Sequence, residues 1–295
     1  MNTPLKNAVL SLGVLSLLLL TGCPKSDRSR KVIQNKGSDT LVNVAQAWAE
    51  AYREQAPEVA IAVTGGGSGT GISALINGTV DLANSSRKLK DKELEAAKKG
   101  NLEPVEHVVG YDALAVFVHK DNPIKSLSIE DLAAIYGDGG KVERWSDLGV
   151  TIPGLKDDKI VRVSRQNNSG TYAYFREATL GKKGDYKLGS LDMHGSKDVV
   201  DLVEKTPGAI GYSGLAYATE HLRMVPITLK KGEEAVAPSI ATASDRSYPI
   251  ARPLFMYTAG PPQGEVKAYL DWILSDSGQA ILLKKGYAPV NPPKK

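Results

Sequence analysis

The segment Thr64-Gly65-Gly66-Gly67-Ser68-Gly69-Thr70-Gly71 constrains this chain more than any other. Five of its eight residues are glycine, so the backbone can turn sharply and present its N–H groups with few side chains in the way. It follows a strand-type run, Val59-Ala60-Ile61-Ala62-Val63, and precedes a helical run from Ile72 to Ile76, which Ser68 or Thr70 is placed to cap. Bare amides and hydroxyls at a helix N-terminus favour an anion. Two familiar glycine-rich loops are excluded. A P-loop ends in Gly-Lys-Ser/Thr, and no lysine lies between Ala51 and Arg87. The dinucleotide pattern GxGxxG fails as well, because Ile72 stands where the glycine after Gly67 and Gly69 belongs.

A glycine-rich turn alone would explain one such junction, but the device recurs. Lys31-Val32-Ile33-Gln34-Asn35 leads through Gly37-Ser38-Asp39-Thr40 into a helical run from Leu41 to about Gln55. Ile160-Val161-Arg162-Val163-Ser164 leads through Arg165-Gln166-Asn167-Asn168-Ser169-Gly170-Thr171 into a helix ending near Leu180. The strand Val80-Asp81-Leu82-Ala83 ends in Asn84-Ser85-Ser86-Arg87, a further hydroxyl and guanidinium cluster at the C-terminal end of a strand, where α/β folds bind ligands. Together these junctions read as one anion held by several helix ends.

At 295 residues the chain is long enough for about two domains, and its 42% hydrophobic and 24% charged residues are ordinary for an α/β protein. A formal charge of +4, without a basic cluster beyond Lys25–Lys31 and Lys294-Lys295, does not suggest nucleic-acid binding. His107, His119, His194 and His221 are scattered without metal-ligand spacing, and no motif calls for a metal or a cofactor. The apolar run of 13 residues from Ala8 to Leu20 is too short to span a bilayer and fits a signal-peptide core. It ends in Leu20-Thr21-Gly22-Cys23, which resembles the bacterial lipobox. By that resemblance Cys23, the single cysteine, becomes the lipidated first residue of a protein held on the periplasmic or extracellular side of the cell membrane.

The remaining chain alternates strands and helices. Leu41, Val44, Ala45, Trp48, Ala49 and Tyr52 give the first helix one apolar face, with Trp48 in the core. Helices are expected over Asp91–Lys99, Ser128–Tyr136 (with Ser128 and Asp131 as a capping box) and Ser196–Lys205. A last helix is expected over Val266–Leu283, interrupted at Ser275-Asp276-Ser277-Gly278. The apolar run Leu114–Val118 reads as a strand crossing between domains, with the change near His119, and Tyr248–Tyr257 brings the chain back. The expected division is a signal segment over 1–22, a tether over 23–31, a discontinuous first domain over 32–118 and 249–295, and a second over 119–248.

The ordered set of motifs resembles the phosphate-binding lipoproteins of bacterial ABC importers, within the type II periplasmic binding proteins. It comprises Gly37–Thr40, Gly65–Gly71, Ser85-Ser86-Arg87, Arg165 with Ser169-Gly170-Thr171, Ala209-Ile210-Gly211-Tyr212, Tyr248-Pro249-Ile250 with Arg252-Pro253-Leu254, and Gly286-Tyr287. The resemblance implies two α/β domains closing about a hinge on one dehydrated phosphate in the cleft between them. It also implies delivery of that phosphate to a membrane ABC permease by a monomer that is not an enzyme. By position it assigns phosphate contacts to Ser38, Thr40, Ser68, Ser86, Arg87, Arg165, Ser169, Gly170 and Thr171. Some members carry an aspartate at the end of the second strand, where it accepts the proton of hydrogen phosphate. This chain has Ser86-Arg87 there, which leaves Asp39 as the motif carboxylate for that role. The alternatives are another tetrahedral oxyanion as ligand, or a sensor or surface-interaction protein with the same jaws. A hydrolase is also conceivable, although Gly66-Gly67-Ser68-Gly69-Thr70 misses the last glycine of a nucleophile elbow.

Overall fold

The computed structural model describes residues 31–292; the signal segment, Cys23 and the tether as far as residue 30 lie outside them. Strand β1 (Lys31–Gly37), helix α1 (Val42–Gln55), β2 (Val59–Thr64), α2 (Ser68–Ile76), β3 (Leu82–Ser85) and α3 (Asp91–Lys99) form two successive strand–helix crossovers and a third half-unit. They lead into β4 (Val105–His119), a strand of 15 residues. Then follow β5 (Leu127–Ser128), α4 (Ile129–Tyr136), β6 (Val161–Arg165), α5 (Gly170–Leu180), β7 (Leu191–Met193), α6 (Ser196–Lys205) and β8 (Ala209–Gly214). The chain ends with β9 (Leu222–Val225), β10 (Ile227–Thr228), α7 (Ile240–Ser244), β11 (Ala251–Thr258), α8 (Gly264–Leu274) and α9 (Asp276–Lys284).

One nine-stranded sheet runs β2-β1-β3-β11-β4-β8-β6-β7, with β9 also on β4, and a small parallel pair joins β5 to β10. β1 pairs in parallel with β2 and β3, as strand–helix–strand crossovers require. β4 holds the two halves together. Its residues from Val105 to Ala113 pair antiparallel with β11, whereas Leu114 to His119 pair with β8 and β9. The change of partner thus falls at Ala113/Leu114, inside the strand. The apolar run Leu114–Val118 is the part of β4 that the second half buries on both faces, which accounts for its unbroken hydrophobicity.

The apolar cores divide in the same way, giving two lobes. Ile33, Trp48, Leu82, Val109, Leu254 and Ile273 belong to one core. Leu114, Val116, Leu132, Trp145, Phe175 and Tyr248 belong to another. Trp48 is fully buried as expected, and its indole N–H donates to the Gly278 carbonyl at 2.8 Å, fastening α1 to α9. The capping box at α4 is present: Ser128 Oγ accepts from the Asp131 N–H at 3.0 Å and Asp131 accepts from the Ser128 N–H at 2.9 Å. The last helical run is broken at Ser275, as its sequence indicates, into α8 and α9. β9 and the short α7 were not legible, because their few residues are ordered by β4 and by the Ser239 cap rather than by a periodic pattern.

One surface ion-pair network gives the second lobe an acid-sensitive contact. Glu143 accepts from Lys187 Nζ at 2.9 Å and from Arg162 Nη1 at 2.7 Å, and these bonds, Lys187 first, hold its carboxyl at about 2. A carboxyl depressed in the folded state adds stability that is complete above its unfolded pKa and is lost as the pH falls. The loss is therefore expected between about pH 4.5 and about pH 2. Because the Glu143 side chain is 47% exposed, the effect is expected to stay below about 1 kcal/mol. Urea unfolding at stepped pH checks this: Glu143→Gln should flatten the acid limb of the wild-type profile.

Candidate functional site

Four chain reversals meet where the lobes face each other. Gly37 ends β1 at a φ of +145°, and a Cβ there would lie 2.2 Å from the Asn84 carbonyl oxygen, so only glycine lets β1 and β3 deliver their ends side by side. The Ser38 N–H then donates to the Asn84 carbonyl at 2.9 Å. In the glycine-rich loop the helix begins earlier than its sequence suggests. Gly67, with φ +93°, is the N-cap of α2 and no side chain caps it. Ser68 is thereby freed from capping: its Oγ accepts the Ser86 N–H at 3.1 Å, and Thr70 Oγ1 donates back to the Gly66 carbonyl at 2.7 Å.

Five buried hydroxyls result. Ser38 Oγ lies 3.0 Å from Ser86 Oγ, which lies 3.4 Å from Ser68 Oγ, and Thr40 Oγ1 lies 3.0 Å from Thr171 Oγ1 across the cleft. The N-terminal ends of α2 and α5, one from each lobe, meet at this cluster, so two positive dipole ends face it. Gly170 closes against it: a Cβ at this position would lie 2.2 Å from Ser68 Oγ and 2.5 Å from Ser86 Oγ. Ser169 is beside the cluster with its hydroxyl turned into its own helix, accepting from the N–H groups of Thr171 and Tyr172 at 3.2 and 3.3 Å. Ser169→Ala is therefore expected to cost about 1 kcal/mol of folding stability, the usual worth of an N-cap, measured by denaturant unfolding.

The charged residues take positions that motif spacing did not give. Arg165 bridges the lobes: its Nη2 donates to Asp39 Oδ2 at 2.8 Å and to the His194 carbonyl at 2.6 Å, and its Nη1 donates to Ser196 Oγ at 3.1 Å. Asp158 and Asp157, the nearby carboxylates that could have held Arg165 in its loop, accept instead from Arg144 at 2.6 and 3.1 Å. Burial lowers the pKa of the Arg165 guanidinium, and the Asp39 charge opposes that shift. Asp39 has both oxygens engaged, Oδ1 by the Gly66 N–H at 2.8 Å and Oδ2 by Arg165, and it hydrogen-bonds to none of the five hydroxyls. Arg87 also stays out of the cluster. Its Nη1 and Nη2 donate to both oxygens of Glu93 at 2.7 and 2.6 Å, because Glu93 stands in the first turn of α3 directly after the Arg87 loop.

Further contacts hold the lobes together. The Gly69 N–H donates to the Asn168 carbonyl at 2.9 Å, Asn168 Nδ2 donates to the Gly66 carbonyl at 3.0 Å, and Tyr217 Oη donates to the Asp39 carbonyl at 2.6 Å. Beneath the hydroxyls lies a fully buried ion pair, Arg252 with Asp112, at 2.8 Å. Burial raises the Asp112 carboxyl above its ordinary value while Arg252 opposes the shift. Sequence reasoning gave neither residue a role. The available signal was an aspartate directly before the buried apolar run Ala113–Val118 of β4, where a buried charge requires a partner. Hydroxyls, helix N-termini and guanidinium groups are donors suited to holding an oxyanion.

The model of the PBP superfamily domain matches residues 24–277. The phosphate-binding protein PstS of Pseudomonas aeruginosa (strain PAO1) is 38% identical over 270 residues, covering 88% of this chain and 83% of that protein. The phosphate-binding protein PstS of Bacillus subtilis (strain 168) is 32% identical over 259 residues, covering 88% and 80%. Among solved structures, a Clostridium perfringens protein assigned as a phosphate ABC transporter substrate-binding protein, with bound phosphate, superposes with a TM-score of 0.78 at 29% identity. The match covers 88% of this chain and all of that one. An ABC-type phosphate transport receptor from Vibrio cholerae gives a TM-score of 0.69 at 25% identity, covering 87% and 99%.

Proposed function

We propose that this chain, which belongs to the PBP superfamily and within it to the phosphate-binding proteins, captures inorganic phosphate between its lobes and delivers it to a membrane ABC importer. The observation that carries this reading is the buried cluster of Ser38, Thr40, Ser68, Ser86 and Thr171, built from both lobes at the N-termini of α2 and α5. Neutral donors in such numbers replace the hydration shell of a multiply charged oxyanion without demanding an equal number of buried cations. The lobes are read as 31–113 with 251–292, and 114–250, following the pairing of β4. The hydroxyls and Gly170 form the contact set, with Ser169 as a cap. Arg165 and Asp39 act together as the clasp that closes the lobes, and Arg87 supports the rim through Glu93.

The chain is read as a binding protein and not an enzyme. No histidine bonds to a cluster hydroxyl among the described residues, and the His194 ring faces Gln166 at 3.2 Å. Among those residues no helix is long and apolar enough to cross a membrane. Attachment to the outer side of the membrane is assigned to a lipid on Cys23, and Cys23→Ser should move the protein from the membrane to the soluble fraction. Titration calorimetry with phosphate, and with sulfate and molybdate as competitors, tests the main reading. Saturable phosphate binding that neither competitor displaces at equal concentration is expected. Tighter binding of sulfate or molybdate would reassign the ligand.

A further inference from the structure

We infer that Arg252 is an anion-facing guanidinium mounted on the hinge, and that Asp112 is its positioning residue. The inference deepens the phosphate reading and rests on it. Arg252 on β11 and Asp112 on β4 face each other directly across the strand pair, one residue from the point where β4 changes lobes. Both side chains have 0% exposure. Arg252 Nε and Nη2 donate to Asp112 Oδ2 at 3.0 and 2.8 Å, and the Leu215 N–H donates to Asp112 Oδ1 at 3.2 Å. This fixes the plane of the guanidinium and cancels a charge that would otherwise be costly to bury.

The other edge of the fork points at the hydroxyl cluster. Arg252 Nη2 also donates to Thr40 Oγ1 at 3.3 Å, and Nη1 donates to the Ser86 carbonyl at 3.4 Å. Both distances exceed the ordinary N–H···O range of about 2.7–3.2 Å, so these donors are held by weak acceptors. An oxyanion seated among Thr40, Thr171 and Ser86 offers them a charged acceptor, and charge-assisted bonds are shorter and stronger. Arg165 and Arg87 do not supply this contact, since their hydrogen bonds go to Asp39, Ser196 and the Met193 and His194 carbonyls, and to Glu93 and the Lys88 carbonyl. A hinge-stiffening ion pair would need Asp112 alone; the contacts to Thr40 and Ser86 are what a ligand-reading group requires. Because the pair rides on both strands that pass between the lobes, capture of the anion by Arg252 acts at the pivot of closure.

Three variants are titrated with inorganic phosphate beside the wild-type chain, with thermal unfolding as a check on folding. Arg252→Lys keeps the charge but cannot serve Asp112 and the cluster at once, and is expected to fold and to raise Kd at least tenfold. The double variant Arg252→Met with Asp112→Leu removes both charges and is expected to raise Kd about a hundredfold. Asp112→Asn leaves the guanidinium without its anchor and is expected to raise Kd at least tenfold. Arginine-selective 15N NMR on the wild-type chain needs no variant: phosphate is expected to shift the Arg252 Nε–H resonance and to leave that of the surface residue Arg144 in place. In Asp112→Asn the phosphate-induced shift should shrink, which a purely structural role would not produce. Wild-type Kd in either folded Arg252 variant, or an Arg252 resonance unmoved by saturating phosphate, overturns the inference. If the wild-type chain itself does not bind phosphate, it is the functional reading that fails.

Discussion

Arg165→Ala is expected to weaken phosphate binding by about 2–5 kcal/mol, or roughly 30- to 5,000-fold in Kd, the range for truncating one partner of a buried, hydrogen-bonded charge pair. The loss has two origins. The guanidinium ties Asp39 of one lobe to the His194 carbonyl and Ser196 of the other, so without it the closed arrangement loses its clasp. Asp39 is then left facing the cleft with only the Gly66 N–H as partner, a carboxylate beside an incoming anion. Arg165→Lys should recover little, because one ammonium cannot reach Asp39, Ser196 and the His194 carbonyl together. Calorimetry on both variants gives the answer: Arg165→Ala binding phosphate as tightly as the wild type would remove the clasp from the account.

Gly170→Ala is expected to separate binding from stability. The new Cβ would sit 2.2 Å from Ser68 Oγ and 2.5 Å from Ser86 Oγ, both on the opposite lobe, so the lobes could close only by displacing the hydroxyls that hold the ligand. Overpacking of this kind costs about 1–3 kcal/mol. It falls on the closed state alone, and the variant is expected to lose binding by at least that amount. Gly170 opens α5, where alanine is the better helix former, so the folding stability should be unchanged or higher by about 0.5–1 kcal/mol. Calorimetry together with thermal unfolding reads both quantities. A variant that binds normally, or one that loses binding only because it unfolds, would contradict this account of the cleft. Closure is better followed by scattering than by tryptophan emission, because Trp48 and Trp145 lie fully buried in the two lobe cores.

Much of the site was legible because it is local. Strand, glycine or hydroxyl, helix is a pattern within a dozen residues that marks the junctions, and the resemblance assigned Ser38, Thr40, Ser68, Ser86, Gly170 and Thr171 within them, which the structure gathers. The charges were not legible, because each guanidinium chooses among carboxylates that only the fold brings near. Arg87 turned to Glu93, six residues on, through the geometry of one helical turn. Arg165 found Asp39 at a sequence separation of 126, and Arg252 found Asp112 at a separation of 140 through a cross-strand register that no spacing encodes. The start of α2 was misread for a different reason. Ser68 resembles a cap, but two glycines at positive φ wind the chain into the helix before it, and its hydroxyl is released to the cluster.

A crystal structure of the chain grown with phosphate tests the central claim most directly. One tetrahedral anion is expected between the lobes, within hydrogen-bond distance of Ser38, Ser68, Ser86 and Thr171 and of the N–H groups opening α2 and α5, with the hydroxyls parted from the mutual contacts of 3.0–3.4 Å seen here. Density for the anion outside this cluster, or a cluster unchanged at saturating phosphate, would contradict the account.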